Sequence, residues 1–216
     1  MRRLWELILA ELPERPGSIL DLGTGTGALL ALVRARSPEC LLTGLDPAPA
    51  MLEKARQKFA SDPAISFIQG SAARITAPDQ SFDTVVSNFA LHHLEHDQKR
   101  QCAEEIFRVL RPGGLLIFGD QHCRKMGSPD DVSWMEDMLD LFTRKAHHYL
   151  TTAGKNRMLL QIELLPRILT ADGEVLCTVG FWLECLTRAG FLPPRVVVAE
   201  PAFLLHRVIV ARKPDV

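Results

Sequence analysis

The chain has 216 residues, of which 47% are hydrophobic and 24% are charged, and its net charge is −1. This length and composition indicate one domain with a hydrophobic core, or one domain with an insertion. The near-zero net charge gives no global sign of a nucleic-acid-binding protein, although it does not exclude a local basic patch.

Residues 2–12 predict an amphipathic helix, because Leu4, Leu7, Ile8 and Leu12 recur on one helical face. No stretch reaches the roughly 18 apolar residues that a membrane span needs. The cysteines are odd in number and form no CxxC pair, so the sequence predicts neither a zinc site nor a disulfide framework. We therefore expect a soluble, cytoplasmic protein with no metal and no membrane association. The cysteines are Cys40, Cys102, Cys123, Cys177 and Cys185.

The stretch from Ser18 to Leu30 predicts a strand, a tight turn and a helix. Ser18 to Leu22 is short and apolar, three alternate glycines follow, and a helical pattern begins at Ala28. Glycine lacks a Cβ atom, so the turn can adopt unusual φ/ψ values and the backbone can approach a ligand closely. The amides of the first helical turn then point at that ligand. The pattern predicts a site for a nucleotide-like molecule at the end of this strand.

Asp21 helps to decide which nucleotide-like molecule binds there. The spacing Gly23-x-Gly25-x-x-Ala28 also satisfies the dinucleotide fingerprint, so the glycines alone do not discriminate. A carboxylate at the end of the strand would repel a pyrophosphate and attract an ammonium group. S-adenosylmethionine (SAM) carries an ammonium and a sulfonium and has no phosphate. No lysine follows the glycines, which argues against a phosphate-binding P-loop.

The segment Leu20–Gly27 resembles the first motif of class I SAM-dependent methyltransferases. Four later segments also resemble that family: Gln69–Ala73 its adenine-contact motif, Asn88–Leu94 its fourth motif, Leu110–Gly114 its turn before the fifth strand, and Phe181–Phe191 its last helix. The resemblance covers residues 18–120 well and residues 181–211 moderately. At the position where the family commonly has an acidic residue that binds the adenine amino group, this chain has Ser71, a weaker acceptor.

Asp46, at the end of the second predicted strand, is expected to bind ribose. It follows the glycine turn by about 20 residues, and a carboxylate can accept hydrogen bonds from both hydroxyls of a ribose. NAD-binding proteins share this feature, so Asp46 does not choose between the two cofactors. With the resemblance, we expect SAM as the cofactor and S-adenosylhomocysteine (SAH) as its product, bound by Asp21, Gly23, Thr24, Gly25, Gly27, Asp46, Pro47, Met51, Ser71, Ala72, Asn88, Phe89 and Ala90.

The remaining strands and helices alternate, which predicts a doubly wound α/β fold with a mostly parallel sheet and helices on both faces. The resemblance adds seven strands, with a closing antiparallel hairpin over residues 196–211. Residues 1–216 are expected to form one methyltransferase domain. Residues 121–178 are expected to form a helical insertion after the fifth strand, acting as a lid. Its apolar stripe is Trp134, Met135, Met138, Leu139 and Phe142. A basic cluster around Tyr149 follows, which is expected at the solvated surface or, alternatively, to hold an anionic acceptor or an RNA phosphate. Its members are Arg144, Lys145, His147, His148, Lys155 and Arg157.

A sulfonium-bound methyl group is already electrophilic, so the protein must mainly align a nucleophile and exclude water. A general base is needed only if the acceptor arrives protonated. His93 and His122, which follow the fourth and fifth strands, are the predicted catalytic residues, and Asp120 is expected to orient a substrate or an imidazole. His92 is expected to point elsewhere.

Three classes of function stay open. A SAM-dependent methyltransferase with a small-molecule acceptor is favoured, because the insertion can supply a private, partly apolar pocket. The second class is an RNA-related enzyme, either an RNA methyltransferase or a carboxy-SAM synthase, which the chain resembles at Leu169-Thr170 and in the closing hairpin. Cys185 stands where an arginine for a carboxylated ligand is expected, which argues against the synthase. The third class is a non-catalytic SAM-binding module. DNA is not expected as a partner, and the sequence does not define the oligomeric state.

Overall fold

The strands lie at or within a few residues of their predicted positions. In the computed structural model, which describes residues 2–170 and 172–215, they are β1 (Ser18–Leu22), β2 (Leu41–Asp46), β3 (Ile65–Gln69), β4 (Phe82–Asn88), β5 (Leu110–Gln121), β6 (Arg195–Val198) and β7 (His206–Arg212). They form a sheet in the order β3-β2-β1-β4-β5-β7-β6, in which β7 runs antiparallel to both of its neighbours. The predicted fold class is therefore confirmed.

Seven helices of the described residues flank or extend this sheet. They are α1 (Arg2–Glu11), α2 (Ala28–Arg36), α3 (Pro49–Lys58), α4 (His96–Val109), α5 (Val132–Thr152), α6 (Lys155–Leu169) and α7 (Val179–Ala189), with short 3-10 helices at Leu91–His93 and Ala202–Leu204. No helix in the described ranges is long and apolar enough to cross a membrane.

Both faces of the sheet are buried, so its central strands read as continuous apolar runs. Successive residues of a strand point to opposite faces. Ile19 packs with Leu4 and Ile8 of α1, while Leu20 packs on the other face with Ile106 and Trp182. Packing on both faces fixes the central strands of the sheet relative to the helices that cover them.

The parallel strands β1, β2, β4 and β5 end at one edge of the sheet. Leu22 of β1 pairs with Leu45 of β2 and with Ser87 of β4. The loops that leave these strands therefore meet at this edge, where open α/β sheets bind their ligands.

The insertion after β5 has a small hydrophobic cluster of its own, which includes Trp134, Met138, Phe142 and Ile168. Its first helix begins where the Asp131 carboxylate accepts hydrogen bonds from the backbone amides of residues 133 and 134, as an N-cap does. The predicted apolar stripe is correct at Trp134, Met138 and Phe142. It is wrong at Leu139, whose surface is 52% exposed, because this residue lies on the outer face of α5.

Two further details differ from the sequence prediction. The segment Leu110–Gly114 was expected to be a turn before the fifth strand, but it is the first part of β5, and Leu110 pairs with Phe82. An irregularity in the pairing accommodates its glycines. Lys145, expected within a basic surface cluster, is fully buried inside the insertion. Burial lowers the pKa of Lys145 to about 7, and its Nζ atom has no hydrogen-bond partner among the described residues.

Candidate active site

The glycine turn after β1 is held by backbone contacts with the end of β2. The amides of Gly23 and Thr24 both donate to the Leu45 carbonyl, at 2.8 and 3.0 Å. The Asp46 carboxylate accepts from the Gly25 amide at 2.8 Å and from the Ala48 amide at 2.9 Å. Gly25 has a φ of +54°, and a Cβ atom placed on it would meet nothing within 4 Å. The turn therefore presents bare backbone to open space.

A cavity of about 480 Å³, called here the large cavity, lies beside this turn. Ten residues predicted to bind cofactor or substrate line it: Gly23, Gly25, Asp46, Pro47, Met51, Ser71, Ala72, Phe89, Ala90 and His93. Three apolar residues that the sequence analysis missed complete the lining, namely Leu45, Leu91 and Leu94. Its apolar walls with a carboxylate at one side suit a flat base joined to a ribose.

A second cavity of about 210 Å³, called the acidic cavity, adjoins the other side of the turn. Asp21, Thr24 and Asn88 line it, together with Trp5 of α1, which was not predicted. Each of the three polar side chains has a buried oxygen with no hydrogen-bond partner among the described residues: Asp21 Oδ2, Thr24 Oγ1 and Asn88 Oδ1. Unpaired buried acceptors are costly, so this arrangement fits a ligand that brings several N–H donors.

Burial raises the pKa of Asp21 to about 7, a value in which the lowering effect of the Thr24 side chain and the raising effect of the nearby Asp46 carboxylate are included. A bound cation would offset the effects of burial and of Asp46 and favour the charged carboxylate.

Gly27 lines neither cavity. It precedes α2, and a Cβ atom placed on it would lie 2.5 Å from the Phe59 ring. Glycine is needed at this position to leave room for Phe59. The position gives no support to the predicted contact of Gly27 with the cofactor.

The two predicted catalytic histidines occupy very different places. The His93 side chain is half exposed, lines the large cavity, and has Nδ1 at 2.5 Å from the Gly173 carbonyl oxygen. His122 is buried, lines none of the cavities beside the glycine turn, and has no partner for either ring nitrogen among the described residues. Burial lowers the pKa of His122 to about 4, so this ring is neutral at pH 7.

His92, expected to point elsewhere, instead lies between two carboxylates. Its Nδ1 atom is 2.6 Å from Asp120 Oδ1, and its Nε2 atom is 3.3 Å from Glu174 Oε2. Burial opposes the charged ring, but the attraction of Asp120 and Glu174 is stronger and raises the pKa of His92 to about 9. Asp120 therefore orients an imidazole as predicted, but the imidazole is that of His92.

A third cavity of about 200 Å³, called the insertion cavity, lies behind Phe89. From the core it is lined by Phe89, His92, Gln121 and His206. From the insertion it is lined by Tyr149, Arg157, Leu160, Gln161, Leu164 and Glu174. Phe89 lines all three cavities. The insertion cavity therefore shares this residue with the two cavities beside the glycine turn.

One group of side chains within the described ranges has the donor types that a metal ion requires. The donor atoms of His92, His93 and Glu174 all lie within 4.8 Å of one another. In the structure these atoms already contact each other and the Gly173 carbonyl, and the Arg167 guanidinium is 3.8 Å from Glu174. The negative charge of the Glu174 carboxylate is thus balanced by the protein's own cations, His92 and Arg167.

The comparisons with known proteins agree with this geometry. Residues 19–114 match the family model described as a methyltransferase domain. The matched residues are a little under half of the chain and include the glycine turn and most of the parallel strands, so this part of the chain is similar to a methyltransferase domain.

The chain is similar to demethylmenaquinone methyltransferase of Thermus thermophilus, with 38% identity over 117 residues, or 54% of this chain and 51% of the relative. It is also similar to the carboxy-S-adenosyl-L-methionine synthase of Geobacter metallireducens, with 26% identity over 86% of this chain and 79% of the relative. Among solved structures, human N-acetylserotonin methyltransferase in complex with SAM superposes with a TM-score of 0.66 at 21% identity, over 99% of this chain and 51% of the human one. The chain spans about half the length of several curated relatives that it matches.

The structure removes one argument that the sequence offered against the synthase. Cys185 was expected to face the ligand, but it is 5% exposed and packs in the hydrophobic cluster with Trp182 and Leu186. Its identity therefore does not distinguish a carboxylated ligand from SAM.

Proposed function

We propose that this protein transfers the methyl group of SAM to a small-molecule acceptor and releases SAH. The acidic cavity beside the glycine turn carries this proposal. Asp21, Thr24 and Asn88 line this cavity, and each has a buried oxygen without a hydrogen-bond partner among the described residues, which suits an ammonium group and not a pyrophosphate. The names of relatives such as demethylmenaquinone methyltransferase and malonyl-[acyl-carrier protein] O-methyltransferase support the same reaction type.

The chain has residues suited to each part of the cofactor. Asp46 has lone pairs beyond those used by the Gly25 and Ala48 amides and would accept hydrogen bonds from ribose. Leu91 and Ala72, with Met51, offer apolar contact to an adenine ring. The Ser71 Oγ atom accepts from the Ala73 amide at 3.2 Å, so its proton is free to be donated to the ring.

SAM supplies a methyl group bound to a positively charged sulfur. The acceptor's lone pair forms the new bond to that carbon, the sulfur keeps the electrons of the broken bond, and the acceptor's proton passes to solvent. The protein's part is to hold the acceptor in line and to exclude water. Phe89, with Leu160 and Leu164 of the insertion cavity, provides apolar surface for this purpose.

The charges of the histidines limit their roles. His92 carries a proton that both flanking carboxylates stabilise, so it serves as a fixed cation and not as a base at pH 7. His122 is neutral, but it is buried and lines none of the three cavities. His93 remains the predicted substrate-facing residue, because it is exposed to the large cavity.

Calorimetry with SAM, SAH and NAD tests the proposal. We expect SAM and SAH to bind and NAD not to bind. Asp46→Ala should weaken SAH binding by about 1.5–3 kcal/mol, because a charged acceptor is lost. Glu53→Ala is the matched control, since Glu53 is exposed on α3 and contacts only Gln57 among the described side chains. Preferential binding of NAD would refute the cofactor assignment.

The acceptor class needs a separate measurement. Methyl-labelled SAM is incubated with the protein and with fractionated cell extract, and the label is followed into small molecules, RNA and protein. We expect label in the small-molecule fraction. Label confined to RNA would favour an RNA methyltransferase, and SAM binding without transfer to any fraction would favour a binding module.

A further inference from the structure

The insertion separates its basic residues into different environments. Arg144, His147 and His148 line an outer groove on α5, away from the glycine turn. Lys145 is buried in the insertion's hydrophobic cluster, and Lys155 is exposed. Arg157, half-buried on the first turn of α6, is the member of this group that lines the insertion cavity. The cavity therefore receives a single arginine from the basic cluster.

Arg157 also differs from neighbouring arginines in its charge balance. Arg124 pairs with Asp137, Arg144 with Asp140, and Arg167 with Glu174. Within residues 2–170 and 172–215, no acidic side chain forms an ion pair with Arg157. Its guanidinium instead lies 5.5 Å from the centre of the Tyr149 ring. A guanidinium held against an aromatic ring and without an acidic partner is suited to binding a carboxylate in a two-bond arrangement.

The residues around Arg157 extend this polar side of the cavity. Gln161 follows Arg157 by one helical turn, is 7% exposed, and lines the same space. Its amide can donate to a second oxygen of a bound acid. Leu160 and Leu164 form an apolar wall beside it. The α6 side of the cavity is thus cationic and donor-rich beside an apolar wall.

Another part of the lining is acidic, and Phe89 belongs to the same cavity. Glu174 lies there, 3.3 Å from His92 and 3.5 Å from the Gln121 side-chain nitrogen. A carboxylate in this part of the lining can accept a hydrogen bond from a hydroxyl or amino group of a ligand. The volume of about 200 Å³ is below the range of typical drug-sized pockets, so the cavity suits a small molecule.

We infer that the methyl acceptor is a small carboxylic acid whose carboxylate binds Arg157 and Gln161 and whose nucleophilic hydroxyl or amino group lies beside Glu174 and Phe89. This inference rests on the proposed function, because it takes the insertion cavity as the acceptor site. The acid is expected to be small, because the cavity has a volume of about 200 Å³.

Calorimetry on the SAH-bound protein tests the inference with matched pairs of acids and their uncharged amides. The pairs are 4-hydroxybenzoate with 4-hydroxybenzamide, 3-hydroxybutyrate with 3-hydroxybutyramide, and β-alanine with β-alaninamide. We expect at least one acid to bind at least about ten-fold more tightly than its amide, since hydrogen bonds to a charged group are the stronger kind. Arg157→Gln should remove that preference, and Arg157→Lys should retain part of it.

Arg144→Gln is the matched control, because Arg144 lies on the outer face and should leave acid binding unchanged. SAH affinity and the melting temperature of each variant show whether it is folded. Equal binding of acid and amide, equal acid binding by the wild type and Arg157→Gln, or no acid binding with SAH bound would each overturn the inference. Failure of SAH itself to bind would instead refute the proposed function.

Discussion

Asp21 is the buried carboxylate on which the proposed binding of the cofactor's ammonium group depends. It is 1% exposed, and one of its oxygens has no partner among the described residues. Such a group is costly for the free protein, and its pKa near 7 reflects that cost. A ligand ammonium would offset the cost, so the free energy of cofactor binding should depend on the charge of this one residue.

We predict that SAH binds more tightly as the pH rises from about 5.5 to 7.0. In the free protein Asp21 is protonated below its raised pKa of about 7, and the neutral acid attracts an ammonium group weakly. Each pH unit below that pKa should therefore cost up to about ten-fold in affinity, because a proton must be released on binding. Isothermal titration at several pH values measures this dependence.

Asp21→Asn supplies the control for this effect. The variant keeps the size of the side chain but does not titrate, so its SAH affinity should be lower at pH 7.0 and nearly independent of pH. A wild-type affinity that is flat over this range, or an equal pH dependence in the variant, would show that another group controls binding.

Two glycines of the turn after β1, Gly25 and Gly27, have different structural roles. Gly25 and Gly27 both have positive φ values, +54° and +73°, so alanine at either position costs about 1–2 kcal/mol in backbone strain. A Cβ atom on Gly25 would project into open space, whereas one on Gly27 would lie 2.5 Å from Phe59. The first glycine leaves room for a ligand, and the second leaves room for a side chain of the protein.

We predict that Gly25→Ala weakens SAH binding at least about ten-fold while lowering stability only by the strain of the left-handed backbone. Gly27→Ala should lose a further 1–3 kcal/mol or so from overpacking against Phe59, yet keep its SAH affinity in the folded fraction. Urea unfolding and calorimetry measure the two effects. Equal SAH binding by Gly25→Ala and the wild type would place the ligand elsewhere.

At the scale of the whole molecule, the strands that a local sequence pattern determines could be predicted. The strands β1, β2 and β4 are short apolar runs that end at glycine or polar residues, so their order and their shared edge follow from pattern and family resemblance. The extension of β5 back to Leu110 could not be predicted, because Arg111 to Gly114 reads locally as a turn. Its pairing with β4 overrides that local preference.

The candidate site shows the same limit. Asp21 and Asp46 were found because they stand at the ends of strands. Trp5 and Glu174 were missed because they reach the site from α1 and from the segment after α6. The contact between His92 and Glu174 joins residues 82 positions apart, and no local signal marks it. Lys145 was misplaced because its charge suggested the surface, while its position on α5 is in line with Met138 and Phe142.

Polar contacts join the insertion to the segments that cover the sheet. Glu174 contacts His92, the Val175 amide donates to the His92 carbonyl at 3.0 Å, and Lys99 Nζ donates to the Val175 carbonyl at 2.8 Å. Its hydrophobic cluster is separate from those on the two faces of the sheet. A segment with its own small cluster should open at a lower free energy than the central strands.

We therefore predict that residues 124–170 exchange their amide hydrogens faster than β1, β2, β4 and β5, and gain protection when cofactor and acceptor bind. Glu174→Gln should accelerate exchange further in α5 and α6, because His92 then keeps only one carboxylate, while SAH affinity changes less than about two-fold. Glu163→Gln on the exposed face of α6 is the control. If the insertion is as protected as the central strands and insensitive to ligands, it is a fixed part of the core. Acceptor choice would then have to be sought at residues 89–93.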